Sequence, residues 1–119
     1  MNEKNIIEIT SEGLTYMDEN GERQFIDFAA CYQRYADQWS EPVYLKKFKE
    51  ANPTRSDEEL EASIEWMRKH KEVGGRDFTV PFIEFYTDPP TKFYFASRDE
   101  YDKVVYLVRK AKWRLFDWA

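Results

Sequence analysis

The chain has one cysteine and one histidine, and these two scarcities exclude a good deal. A single thiol cannot build an internal disulfide framework. One Cys with one His cannot close a zinc shell, which takes several N and S ligands at set spacing. Glycine is scarce too, and the adjacent pair Gly74-Gly75 has neither the spacing nor the lysine of a phosphate-binding loop, so it is expected to stop a helix. No apolar run approaches the length of a membrane span. The N-terminus lacks the charged-apolar-small order of a signal peptide. A reducing cytoplasm, with no membrane association, is the natural expectation.

Positive charge is also in short supply, and where it is missing matters. Residues 1–39 hold eight acids (Glu3, Glu8, Glu12, Asp18, Glu19, Glu22, Asp27 and Asp37) against Lys4, Arg23 and Arg34, which accounts for the whole net charge of −5. The remaining residues balance. An acidic N-terminal third repels phosphate backbones and there is no basic stripe, so direct nucleic-acid binding is disfavoured.

What the chain does have is aromatic bulk at the length of one domain, expected to span 1–119. A hydrophobic content of 42% with 18% aromatics rules out a disordered polar chain. Ile6–Thr10, Leu14–Glu19 and Glu22–Ile26 read as a three-stranded meander. The Asn20-Gly21 pair predicts a two-residue type I′ turn, which sets Asp18 opposite Arg23 and Tyr16 opposite Phe25. Asp27 reads as the N-cap of a helix over 28–39, with Phe28, Ala29, Tyr32, Tyr35, Ala36 and Trp39 on one face and Cys31 on its flank. Pro42 suits the first turn of a second helix, with Tyr44, Phe48 and Ala51 inward and Lys46, Lys47 and Lys49 outward. Ser56 and Glu59 form a capping box opening a third helix to about Glu72. Its two thin stripes are Leu60, Ile64, Met67 and Ala62, Trp66, Val73.

The last third, 77–118, organises the rest. Phe78–Tyr86 reads as a strand in which Pro81 predicts an edge or a bulge. Asp88-Pro89-Pro90-Thr91 reverses the chain, and Lys92–Ala96 returns. Ser97 and Glu100 cap a final helix whose apolar face is expected to be Tyr101, Val104, Leu107, Val108, Ala111, Leu115 and Trp118. The fold class expected is α+β in the order βββ-ααα-ββ-α, a mainly antiparallel sheet of about five strands covered by helices.

No catalytic constellation stands out. His70 reads as a cation favoured by a helix C-terminus, and Cys31 as a small buried hydrophobe; nothing pairs them as base and nucleophile. The run Lys46-Lys47-Phe48-Lys49 reads as a solvated face. Glu84 interrupts an aromatic strand, but a catalytic carboxylate wants a second acid or a base at hand, and pairing with a lysine is the plainer reading. No metal or cofactor is expected.

What remains is surface. Trp66, Tyr106 and Trp113 lie off the expected core stripes, and Arg109 shares the line of Tyr106 and Trp113, where it can stack on either ring. With the acids Glu12, Asp18, Glu19 and Glu22, these residues suggest a small acidic non-enzymatic domain that binds another protein, of basic character, or a second copy of itself. Immunity proteins, antitoxins and phage-encoded inhibitors share that general surface chemistry. The alternative is a small-molecule-binding or catalytic domain with an aromatic pocket of Tyr16, Glu84, Tyr86 and Tyr94.

Overall fold

The computed structural model describes residues 1–72 and 77–115. A single 3₁₀ turn, Glu3–Asn5, precedes β1 (Ile6–Ile9), β2 (Gly13–Met17), β3 (Arg23–Asp27) and β4 (Gln33–Trp39). Then come α1 (Glu41–Ala51), α2 (Asp57–Lys69), β5 (Thr79–Phe85), β6 (Thr91–Tyr94) and α3 (Arg98–Leu115). The protein is α+β, with two three-stranded antiparallel sheets ordered β1-β2-β3 and β4-β5-β6. Among the described residues there are six strands, not about five, because the segment expected to be the first helix is a strand.

That correction has a local cause. Asp27 does cap a turn, its carboxylate accepting the Ala29 N–H at 3.0 Å, but the turn closes at Ala30 and goes no further. Beyond it, Arg34 and Gln38 are exposed while Gln33, Tyr35, Asp37 and Trp39 are half-buried, a two-residue alternation broken only by half-buried Ala36, and one that a helical arc conceals. Pairing with β5 satisfies the backbone. Tyr86 donates to the Tyr32 carbonyl and Ser40 to the Phe78 carbonyl, partners that run in opposite directions.

The meander forms, but its register differs from the expected one. Met17 pairs with Arg23 and Tyr16 with Gln24, leaving a loop of residues 18–22 in place of a two-residue turn. The Asp18 carboxylate organises that loop. It accepts the N–H groups of Asn20 and Glu22, both at 2.9 Å, and the Gln24 amide at 3.0 Å. Side-chain bonds of this kind give the backbone a competing turn. Gly21, one of the two residues expected at positive φ, has it (φ 79°). The expected pairs Asp18–Arg23 and Tyr16–Phe25 are not made, since one residue of slip separates them.

Pro81 is not on an edge strand: β5 is the centre of its sheet. It sits opposite Phe95, just past the last β6 pair (Phe82 with Tyr94), where its carbonyl still accepts the Phe95 N–H at 3.0 Å. A residue's N–H and C=O point the same way in a strand, so the donor that Pro81 lacks is the one that would face Phe95, and the cost is confined to one bond just past the end of β6. The reversal before β6 includes a cis Asp88–Pro89 bond, and the Thr87 hydroxyl donates to the Pro89 carbonyl at 2.7 Å.

The chain divides into two compact units. The first comprises residues 1–36 and 81–115 of those described. Its core is Leu14 and Ile26 from the meander, Phe28, Ile83, Phe85, Phe93 and Phe95, and Tyr101, Val105, Val108 and Ala111 from α3. Rings hold this core by offset and edge contacts: Phe28 stacks on Phe85 with centroids 6.0 Å apart, and Phe93 meets Phe85 and Tyr16 edge-on. Each such side chain contributes roughly 1.5–3 kcal/mol by burial. The buried face of α3 is turned from the expected one. Val105 is in, whereas Leu107 is 44% exposed. Tyr101, Val105, Val108 and Ala111 follow the spacing of a single stripe, and Leu107 falls beside it. The Leu115 side chain and Trp118 lie outside the described residues.

The second unit is Asp37–Val80. Pro42 lies in the first turn of α1, as expected; Ser40 caps that helix and Asn52 ends it. Tyr44 is the buried centre, edge-on to Phe78 at 4.9 Å and hydrogen-bonded to Ser63. Ala51, expected inward, is the last residue of α1 and is exposed. Ser56 caps α2 through the Glu59 N–H, Met67 is its buried residue, and Arg68 reaches Glu41 at 2.5 Å. The expected stripe residue Val73 and the stop at Gly74-Gly75 lie outside the described residues.

Candidate functional site

A concavity opens in the first unit, between the turn leading into β4 and the outer side of α3. It encloses about 700 Å³ and is lined by Ala29, Ala30, Cys31, Tyr32, Gln33, Arg109, Lys112 and Trp113. The turn exists because Asp27 holds Ala29 and Ala30, which hands the next residues to the strand in extended form. The helix side exists because Ser97 caps α3, accepting the Glu100 N–H at 3.1 Å, which fixes the phase of everything after it. Tyr106, Arg109 and Trp113 then fall on one line along α3 by their spacing.

Two cations stitch the walls together. Lys112 donates its ammonium to the Cys31 carbonyl, and its charge also lies 5.9 Å from the Phe28 ring centroid. Arg109 stacks over Tyr35 at 4.9 Å. This corrects the expectation that Arg109 stacks on Tyr106 or Trp113; Tyr106 instead has Lys110 at 5.8 Å. Burial lowers the pKa of Lys112, with Cys31 and Asp27 opposing that shift. Burial likewise raises the Cys31 thiol, against the field of Lys112 and with that of Asp27. Tyr35 is raised by burial, opposed by the neighbouring Gln33 and Arg109. Those neighbours stand close to the Tyr35 hydroxyl without reaching hydrogen-bond geometry, and the buried Gln33 Oε1 has no hydrogen-bond partner among the described residues.

The mouth of the cleft is aromatic. Tyr32 is 82% exposed and Trp113 59%, and along α3 Tyr106 and Leu107 extend the same apolar exposure. Of the residues proposed from sequence for partner binding, Arg109 and Trp113 therefore meet at one cleft with Tyr106 adjoining. Trp66 belongs to the other unit, where it is half-exposed and stacks on His70 with centroids 4.2 Å apart. Glu12, Glu19 and Glu22 are exposed on the meander, while the Asp18 carboxylate is engaged in its own loop, whose hydrogen bonds from Glu22 and Gln24 lower its pKa.

The alternative set does not converge. Glu84 pairs with Arg34 at 3.3 Å and stands opposite Lys92 across β5 and β6. Tyr94 lies on that same sheet face by register, next to Phe82, and Tyr86 is two residues along from Glu84. Tyr16, by contrast, packs on Phe93, whose side chain points to the opposite face with Ile83. A second concavity of about 620 Å³ contains Tyr16, Asp18, Glu19, Phe25 and Lys92 but none of the other three.

Sequence reasoning missed Tyr32, Gln33 and Lys112 as cleft residues. Tyr32 was assigned inward on a helix that does not form, and the signal that finds it is the period of two over 33–39. Among the described residues no group of three or more His, Cys, Asp or Glu is arranged to hold a metal, and no helix is long and apolar enough to cross a membrane. No family model, curated protein or solved structure matches the chain.

Proposed function

We propose that this protein is a non-enzymatic binding domain that docks another protein at the cleft between the 29–33 turn and α3. The observation that carries this reading is the composition of the cleft mouth: Tyr32 and Trp113 stand exposed beside Arg109. Tyr, Trp and Arg are the residues in which binding energy concentrates at protein interfaces. The exposed acids Glu12, Glu19 and Glu22 add a separate negative surface suited to steering a partner with basic character, in the manner of an immunity protein, antitoxin or phage-encoded inhibitor. A photo-crosslinking side chain at Tyr32 or Leu107 is expected to capture a discrete protein in source cells, and one at Glu61 on α2 is not. Equal capture from all three positions, or from none, rejects the reading.

A second reading, a small-molecule site, is favoured by the cleft volume, which falls within the roughly 300–1,000 Å³ usual for such sites. It applies to this cleft and not to Glu84, whose carboxylate is already paired with Arg34.

A further inference from the structure

The cleft has a chemical bias that narrows what enters it. Its lining includes two cations, Arg109 and Lys112, and no carboxylate among the described lining residues. Asp27 acts on Lys112 but does not line the cleft, and its Oδ1 is occupied by the Ala29 N–H. Both cations are held in place by uncharged groups, a ring face for Arg109 and a backbone carbonyl for Lys112. An ammonium carries three N–H donors, so the bond to Cys31 leaves Lys112 with further donor capacity. Gln33 lines the same wall with its Oε1 covered from solvent. The rest of the wall is apolar: Ala29, Ala30, Tyr32 and Trp113. The occupant that complements these supplies an apolar group and a negative charge.

We infer that the cleft takes a peptide segment presenting a large apolar side chain with a carboxylate beside it. This rests on the protein-binding reading above. The apolar side chain lies between Tyr32 and Trp113, and the carboxylate meets Arg109 and Lys112. The exposed Tyr106 and Leu107, one turn further along α3 from Arg109, give the flanking residues of such a segment somewhere to lie.

The test uses the full chain and random short peptides displayed on phage. Selected peptides are synthesised and mapped by the amide NMR shifts they cause. The expected result is enrichment of Glu or Asp next to Trp, Phe or Leu, with shifts at 29–33 and 109–113. Arg109→Gln, at an exposed position that leaves the core intact, should weaken those peptides about tenfold, as loss of a hydrogen bond to a charged group does. Added salt should weaken them too. Peptides that move the cleft amides but carry basic or no charge overturn the inference while leaving protein binding standing. Peptides that bind only elsewhere overturn it, and a simultaneous failure of crosslinking from Tyr32 removes the protein-binding reading as well. Shifts of the same amides caused by indole-3-acetate and by no peptide assign the cleft to small molecules. Shifts that grow with protein concentration alone assign it to a second copy of the chain.

Discussion

Phe25 lies across Gly13. The two are diagonal neighbours on β3 and β2, and the Phe25 ring carbons would stand 2.5 and 2.7 Å from any β-carbon built at Gly13. The Ile26 carbonyl crowds the same point, and as backbone it cannot rotate away. Gly13→Ala should therefore destabilise the protein by about 1–3 kcal/mol, the usual cost of overpacking. Denaturant midpoints check this, and Gly13→Ala with Phe25→Ala should recover only part of the loss, because the carbonyl remains.

Asp18 gives a pH-dependent prediction. Hydrogen bonds from Glu22 and Gln24 hold its carboxyl below the ordinary value of 3.8. A depressed folded-state pKa contributes stability above the unfolded value and loses it as pH falls through the folded one. Asp18→Ala should thus be less stable than the parent at neutral pH, and the gap should close in acid below 3.8. A gap that stays constant down to the acid limit contradicts the assignment. The effect is modest, since the loop is solvated.

Two ring truncations should behave oppositely. Phe93 is fully buried between Phe85 and Tyr16, so Phe93→Ala should cost about 3–5 kcal/mol of folding stability. Trp113 is 59% exposed, and Trp113→Ala should change folding stability by no more than about 0.5 kcal/mol. On the docking proposal it should weaken partner association by about 2 kcal/mol or more. Paired denaturant melts and binding titrations separate the two effects.

Cys31 should be a sluggish nucleophile. Burial raises its thiol above the ordinary 9.0, and Lys112 partly offsets this. Alkylation by iodoacetamide at neutral pH should be slower than for free cysteine, and Lys112→Met should slow it further. Faster reaction than free cysteine would mean an activated thiol and would reopen an enzymatic role. Cys31→Ala and His70→Ala are both expected to keep partner binding.

Much of the fold was legible where the signal is local. Ser97 and Ser56 each mark a helix start because a cap needs only a hydroxyl and one N–H three residues on, and Pro42 marks the first turn of α1. The meander was legible from Gly and Asn punctuation, yet its register was not, because three hydrogen bonds to the Asp18 carboxylate outweigh the Asn-Gly preference. The segment 28–39 was misread since its ring spacing fits a helical arc, while its strand identity depends on β5, some fifty residues away. The site suffered from the same error. Arg109 and Trp113 could be named from α3 alone, but the wall they face was hidden in a segment assigned to the wrong element.

Ser40 donates to the Phe78 carbonyl at 2.8 Å, so the chain leaves β4 and re-enters β5 at adjoining backbone atoms. Topologically, everything between those two residues is the connection of a single β-hairpin. Closing such a long connection is costly in chain entropy, growing as the logarithm of its length, and shortening it about tenfold to a tight turn would recover about 2 kcal/mol. The capped helices α1 and α2, with Tyr44 against Phe78, offset that cost by folding within the connection itself. The connection of this hairpin is thus a packed unit in its own right, not a loop.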